Sequence, residues 1–236
     1  MDESSKDLII ESHISPLLNS NMYIVHSGNH VIMIDPFESA ETLQQLMLNH
    51  KVIDYVILTH EHYDHISGVN WLKDNCNCIV MCSKACGQEI ESPSGNFSKY
   101  FDALAQVVPI KGALPESIEP YSCRADKTFD NSIELSWQDH RIFMIETPGH
   151  SRGSICILID NDYLFSGDTL LRDYNTVTRL KGGNRKLFID RTIVFLKSLS
   201  PETKVRPGHY ESFVISERRK YLANYCNNRV DKDTVN

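Results

Sequence analysis

Four side chains able to hold a metal ion, His60, His62, Asp64 and His65, fall within the six residues His60-Glu61-His62-Tyr63-Asp64-His65. Imidazole nitrogen and carboxylate oxygen both suit zinc, iron and related cations. In an extended chain His60, His62 and Asp64 point to one side, because side chains alternate with period two. Where the chain turns into a helix, Asp64 and His65 can diverge towards a second ion. A polar loop whose histidines only cap a helix does not call for this density of ligating groups. Three further segments carry similar chemistry: Thr147-Pro148-Gly149-His150-Ser151, Phe165-Ser166-Gly167-Asp168-Thr169 and Arg206-Pro207-Gly208-His209-Tyr210. In each, a glycine precedes the polar residue and lets the backbone turn sharply and approach an ion closely. Each alone reads as an ordinary turn. Combined with the cluster at 60–65, they point to metal binding.

The surrounding pattern says what must position these side chains. Met22 to His26 and Val31 to Ile34 are β-rich runs joined by Ser27-Gly28-Asn29-His30, which reads as a hairpin. Ser39 is the expected N-cap of a helix through about Asn49, with Leu43, Leu46 and Met47 on one face. Val52 to Leu58 is an apolar run that delivers Thr59-His60, and a helix is expected from His65 to Lys73. Cys78 to Cys82 reads as a buried strand. Ser98 is the expected cap of a short helix through Leu104, and 111–131 reads as loop. Strand signals then dominate at Ser132–Ser136, His140–Glu146, Ser154–Asp160 and Asp162–Ser166, with Asn161-Asp162 as a turn. Ile189, Ile193 and Leu196 give a helix face, Val205 precedes Pro207-Gly208, and residues 212–226 predict a closing helix. The tail from Asn227 is polar and is expected to fray. Both halves run from strands into a histidine-bearing loop, which hints at a duplicated αβ unit. No linker divides the chain, so one domain over 1–236 is expected.

Composition bounds the function. The chain has 236 residues, 41% of them apolar and 23% charged, which is ordinary globular usage. A chain of this length hides roughly 70% of its unfolded surface on folding, enough for a sizeable core. No apolar run reaches the ~20 residues of a spanning helix, so no membrane role is expected. The net charge of −7 argues against nucleic acid as a partner. The start Met-Asp-Glu-Ser-Ser-Lys-Asp lacks the pattern of a secretory signal, and seven cysteines is an odd number. A reducing, cytoplasmic setting without a disulfide framework is the expectation. Cys76, Cys78, Cys82 and Cys86 cluster, but their spacing does not match paired zinc ligands, and buried strand thiols explain them better. Arg218-Arg219-Lys220 reads as a solvated helix face.

The order HxHxDH, TPGH, GD, PGH resembles the metallo-β-lactamase superfamily, and within it the glyoxalase II (hydroxyacylglutathione hydrolase-like) group. The resemblance runs from about residue 20 to 215. It takes in Asp35 after the second strand, Gly95-Asn96-Phe97-Ser98 near that group's N-x-S segment, and Ala125-Asp126 before the later strands. It implies an α/β fold of four layers, an αββα sandwich with metals at one edge. Carried over, His60, His62 and His150 would hold a first metal. Asp64, His65 and His209 would hold a second, and Asp168 would bridge both. Asp35 would orient the ligand-bearing loop, and the resemblance implies a catalytic role for Asp35 and Asp64. Two zinc ions per chain are implied, with iron as the other option. In such a site two cations share a water and bring its pKa towards neutrality, and the hydroxide attacks a carbonyl that a metal polarises.

The resemblance implies a metal-dependent hydrolase of acyl thioesters, glutathione-type or carrier-bound. Arg152 stands where relatives often have a small residue or Pro, and Tyr210 replaces the Gly common after PGH. Arg152 could meet an anionic substrate group, although a surface charge is the plainer account. The Gly-Arg segment common after GDTLF is displaced here. Only 27 residues follow His209, too few for the helical domain that binds glutathione in larger relatives, which favours a carrier-bound substrate. The alternative is a mononuclear iron persulfide dioxygenase using His60, His150 and Asp168. A lactonase or β-lactam hydrolase, and a non-catalytic scaffold, follow behind. The oligomeric state is left open.

Overall fold

The computed structural model describes residues 8–105 and 118–224. The chain runs through strands β1 (Ile9–Ile14), β2 (Asn21–Ser27) and β3 (His30–Ile34), helix α1 (Ala40–Leu48), strand β4 (Val52–Ile57), and helices α2 (Tyr63–Ile66) and α3 (Val69–Asn75). Strand β5 (Ile79–Ser83) and helix α4 (Lys84–Ile90) follow. A 3-10 turn (Ser98–Tyr100) then leads into α5 (Phe101–Ala105). Next come strands β6 (Lys127–Phe129), β7 (Ser132–Trp137), β8 (His140–Glu146), β9 (Ile155–Ile159) and β10 (Tyr163–Gly167). Helix α6 (Arg185–Leu187), a π-turn (Phe188–Thr192) and α7 (Ile193–Ser198) precede β11 (Lys204–Pro207), β12 (Phe213–Val214) and α8 (Ile215–Asn224).

Strands β1 to β6 form one six-stranded sheet in chain order, and β7 to β12 form a second in the same sequential order. Each half of the chain therefore builds one sheet. Both sheets mix pairings: β3, β4, β5 and β6 run parallel, as do β10 and β11, and the rest are antiparallel.

Alternation along the strands makes the layers. Tyr23, Val25, Ile32, Ile34 and Ile57 of the first sheet meet Ile142, Met144, Ile155, Ile157 and Phe165 of the second between the sheets. Their neighbours Met22, Ile24, Val31, Met33 and Val56 face outwards and are covered by Leu43 and Leu46 of α1 and Val69 and Leu72 of α3. On the far side Leu158, Leu164 and Val205 pack under Phe188, Ile193, Leu196 and Leu222. The result is helix, sheet, sheet, helix, the expected four-layer arrangement. Each such side chain contributes about 1.5–3 kcal/mol when fully buried.

Several elements differ from expectation. The helix expected over His65–Lys73 is two helices, α2 and α3, separated at Ser67-Gly68. Gly68 lies against the Phe37 backbone, where a Cβ would come within 2.6 Å, and its N–H donates to the Pro36 carbonyl at 2.9 Å. Ser98 is not a helix cap. Phe97, at φ 66°, precedes the 3-10 turn, and the Ser98 hydroxyl donates to the Tyr121 carbonyl at 3.1 Å. The expected 111–131 loop holds β6, because Lys127–Phe129 add in parallel to β5. Strand β1 and helix α4 were not anticipated. The expected 212–226 helix begins later, after the short strand β12. The β9–β10 turn takes its positive φ at Asp160 and Asn161, one residue before the expected pair. Arg218 and Arg219 are not a solvated face: Arg219 donates to the carbonyls of Lys197 and Leu199, and Arg218 to that of Tyr174. The tail from Asn227 and residues 111–117 lie outside the described residues.

Six cysteines among the described residues are free thiols. No helix among the described residues is long and apolar enough to cross a membrane.

Candidate metal centre

Four loops leave the carboxyl ends of β4, β8, β10 and β11 at one edge of the sandwich. They bring together the seven residues that the sequence pattern nominated as ligands. His60, His62 and His150 offer atoms within 4.8 Å of one another, and so do Asp64, His65 and His209. Asp168 stands between the two sets. Its Oδ2 is 3.6 Å from His150 Nε2 and 3.6 Å from His209 Nε2, while its Oδ1 is 3.7 Å from His65 Nε2. All seven are buried or nearly so; His209 is the most open.

Neighbouring groups decide which imidazole nitrogen faces inwards. Thr59 Oγ1 donates to Asp35 Oδ2 at 2.6 Å, so it accepts from His60 Nδ1 at 3.0 Å and leaves His60 Nε2 as a bare lone pair. His65 Nδ1 donates to Asp35 Oδ2 at 2.9 Å, and His150 Nδ1 donates to the Val177 carbonyl at 3.0 Å. Asp35 Oδ1 also accepts the Thr59 backbone N–H at 2.7 Å. Both Asp35 oxygens are thus occupied, although it lies close enough to His60 and His65 to form a third acidic–imidazole group. Asp35 acts through its neighbours: one carboxylate orients His65 directly and His60 through Thr59, which is how ligating histidines are commonly braced.

The donor set fits cations. His62 Nδ1 and His150 Nε2 face each other at 3.2 Å, and His65 Nε2 and His209 Nε2 do so at 3.3 Å. Nitrogen ligands about 2.0–2.1 Å from a tetrahedral ion stand roughly 3.3–3.4 Å apart. His60 Nε2 and Asp168 Oδ1 are buried with no hydrogen-bond partner; His62 Nε2 is also unpartnered, but it is the ring nitrogen opposite the Nδ1 that faces His150. Buried polar atoms are rarely left so in a finished structure.

The two sets differ electrically. Burial pushes the His60 and His62 imidazoles down, His62 to about 3, and the neighbouring imidazoles reinforce it. Burial lowers His150 too, with Asp168 resisting. In the other set burial also opposes charge on His65, but Asp64, the Asp35 hydrogen bond and Asp168 outweigh it and lift His65 to about 10. His209 is raised because Asp168 and the Asp64 hydrogen bond outweigh its burial. Burial works against ionisation of Asp64 and Asp168. The His65 and His209 charges overcome it and hold both below the usual carboxylate range.

Backbone fit is tight. Gly208 allows the β11 loop to touch the centre: a Cβ there would lie 2.2 Å from Asp168 Oδ1 and 2.9 Å from His65 Cε1. Asn21 Nδ2 donates to the carbonyls of Pro207 and Tyr210 at 3.0 and 2.8 Å, and Ser20 Oγ donates to the Asp64 carbonyl at 2.7 Å. The β1–β2 connection therefore braces the His209 loop against the Asp64 loop.

Several supporting residues escaped the sequence pattern. Glu61 sits inside the HxHxDH motif yet turns away from the ligands. It accepts from Ser151 Oγ at 2.8 Å and from the Gly153 N–H at 3.2 Å, pinning the His150 loop. Burial raises its carboxyl pKa, partly offset by those donors. The period-two alternation of the motif was the available signal. Phe97 stands edge-on to His62 at 4.9 Å. Tyr174 stacks on Tyr210 at 4.5 Å between ring centroids. Arg152 is mostly exposed and lies 3.7 Å from Glu89 Oε1, so it is a surface charge as placed. Asp126 serves the fold, accepting the Val80 N–H at 2.9 Å.

Known proteins share this plan. An uncharacterized protein of Mycobacterium leprae is 27% identical over 223 residues, covering 91% of this chain and 97% of the relative. The hydroxyacylglutathione hydrolase of Photobacterium profundum is 27% identical over 199 residues, covering 82% of this chain and 63% of that enzyme. The crystal structure of BLEG-1 B3 metallo-beta-lactamase superposes with a TM-score of 0.77 at 24% identity, covering 90% of this chain and 97% of that one, a likeness of fold. The sequence profile of one superfamily matches residues 15–209, from the braced β1–β2 connection to the last histidine of the centre. The chain belongs to the metallo-beta-lactamase superfamily.

Proposed function

We propose that this protein is a dinuclear metal-dependent hydrolase of acyl thioesters, on small molecules or on a carrier. One observation carries the reading: two convergent groups of metal-capable side chains with Asp168 placed between them. His60, His62 and His150 would hold one cation and Asp64, His65 and His209 the other, with Asp168 in contact with both. When bound, such a pair supplies a water acidified towards neutral pH and polarises a carbonyl. The chain supplies the rest. Asp35 fixes His65, and through Thr59 His60, so that Nε2 of each faces inwards. The lowered pKa values of His60, His62 and His150 keep their lone pairs free of protons at neutral pH. Asp64 and Asp168, held ionised, balance cationic charge. Direct attack by such a water requires no Ser or Cys nucleophile. The thioester preference is carried by likeness to the glyoxalase II group, including the hydrolase of P. profundum. Zinc is the proposed metal and the cytoplasm the proposed setting.

A second reading is a mononuclear iron dioxygenase acting on a persulfide through His60, His150 and Asp168. The 3.6 Å approach of Asp168 Oδ2 to His150 Nε2 gives it a two-histidine, one-carboxylate grouping. Metal analysis of protein purified without chelator or added metal separates the two. About two zinc ions per chain, with turnover of a thioester panel, is the expected result. About one iron per chain, with persulfide-dependent oxygen uptake, replaces it by the second. Failure to take up any metal sinks both.

A further inference from the structure

Tyr210 follows His209 directly and takes φ 66°, a left-handed backbone that bulky side chains avoid. Asn21 Nδ2 holds its carbonyl at 2.8 Å. Its ring stacks on Tyr174 with centroids 4.5 Å apart and planes at 25°. Tyr174 belongs to the loop after Asp168, and its own carbonyl is held by Arg218 Nη2 at 3.0 Å. The pair is braced from behind, yet Tyr210 is 51% and Tyr174 50% exposed. On the other flank Phe97, also at φ 66°, stands edge-on to His62. Aromatic residues in strained backbone thus bracket both ligand sets. Strain kept at the rim of a chemical centre is a pointer to function.

We propose that Tyr174 and Tyr210 form a π-face at the mouth of the centre that receives a planar, unsaturated group next to the scissile carbonyl. The inference rests on the hydrolase reading and names its substrate class: thioesters with an aromatic or conjugated group within three bonds of the reacting carbon, on the acyl or the thiol side. Hydrolysis then adds water across the acyl C–S bond, breaks that bond and releases an acid and a thiol, one of which carries the ring. Offset stacking favours an aromatic ring over a saturated ring of similar size.

The test compares phenyl with cyclohexyl on each side of the bond. The acyl arm uses S-phenylacetyl and S-cyclohexylacetyl N-acetylcysteamine; the leaving-group arm uses S-benzyl and S-cyclohexylmethyl thioacetate. In at least one arm kcat/KM favours phenyl by about threefold to tenfold, mainly through KM. Tyr174→Ala and Tyr210→Gly bring that ratio near one, while Tyr210→Phe keeps it. Calorimetry with phenylacetate and phenylmethanethiol against their cyclohexyl counterparts reads the same preference on the metal-loaded protein without turnover. Equal binding and equal kcat/KM in both arms, or a preference that both ring-removing variants retain, overturns the proposal. A binding preference with no thioester turned over overturns the hydrolase reading and leaves the aromatic face standing.

Discussion

His60, His62 and His150 form a neutral set, while Asp64, His65 and His209 form a charged one. Burial drives the first three imidazoles away from protonation, and the pull of Asp168 on His62 and His150 does not reverse it. In the second set carboxylates on either side favour the cationic imidazoles, lifting His65 to about 10 and raising His209. The scaffolds differ as well. The neutral set spans two loops that Glu61 ties together, at Ser151 and Gly153. The charged set is braced by Asp35 on His65, Ser20 on the Asp64 carbonyl, and Asn21 on the loop carrying His209. Two sites of similar shape therefore differ in what must leave before a cation enters. The neutral set offers lone pairs already bare. The charged set holds a proton where a cation would sit.

Asp168 is the residue that breaks the comparison most completely, since it approaches both sets. Asp168→Ala is expected to weaken metal binding at both and to lower thioester turnover by about three orders of magnitude, as loss of several kcal/mol of metal-based stabilisation implies. Metal stoichiometry by mass spectrometry, beside kcat/KM, checks it. Retention of two tightly held ions would refute the bridging position. Asp35→Asn comes next. It should cost about 10- to 100-fold in metal affinity. The loss should be greater in the charged set, because Asp35 meets His65 directly but reaches His60 only through Thr59. Competition with a chelator measures both affinities, and an equal loss at the two sets would contradict that ordering.

The charged set and the neutral set were equally legible in the sequence. All seven ligand candidates could be named, because the loops that carry them follow apolar strand runs and bear unusual residue types. The run Met22 to His26 was also legible as a strand, but not that both of its faces are buried. What escaped has a common cause. Glu61 hides inside the motif because its type matches a ligand, and only its direction shows that it clamps the next loop. Phe97 and Tyr210 are ordinary residue types whose positive φ is a tertiary outcome. Strand β6 is three residues long and exists only because β5 offers an edge, so no local pattern announces it. The break at Gly68 depends on the Phe37 backbone lying across it, a contact between residues far apart in the chain.

Proton release sharpens the electrical contrast. In metal-free protein at pH 7 His65, with its pKa raised to about 10, is protonated, so filling the charged set must displace a proton. Affinity there should rise about tenfold per pH unit up to the region of that pKa. The neutral set, with His62 at about 3 and His60 and His150 also lowered, should bind with no release and stay flat over pH 7–8. His150→Ala isolates the charged set and His209→Ala the neutral one. Calorimetric titrations of zinc in buffers of different protonation enthalpy count the protons. Equal counts in the two variants would erase the distinction.

The smallest expected effect falls on Glu61, and it is specific to one set. Both of its partners donate, Ser151 through its hydroxyl and Gly153 through its N–H, and both bonds land on Oε2, with a longer approach of the Gly153 N–H to Oε1 at 3.4 Å. Gln can offer its carbonyl oxygen to both donors, but its amide N–H₂ then faces the Gly153 N–H where Oε1 stood, and the charge that strengthens both bonds is lost. The His150 loop should then loosen while His65 and His209, held by Asp35 and Asn21, stay in place. Glu61→Gln is therefore expected to weaken the neutral set by a few-fold, up to about tenfold, the low end of what outlying partners of metal ligands contribute. The charged set should be unchanged. Chelator competition reads this as one ion lost early and one retained at its original affinity. Parallel weakening of both ions would mean that Glu61 supports the whole edge of the sandwich, and the separate bracing of the two sets would fall.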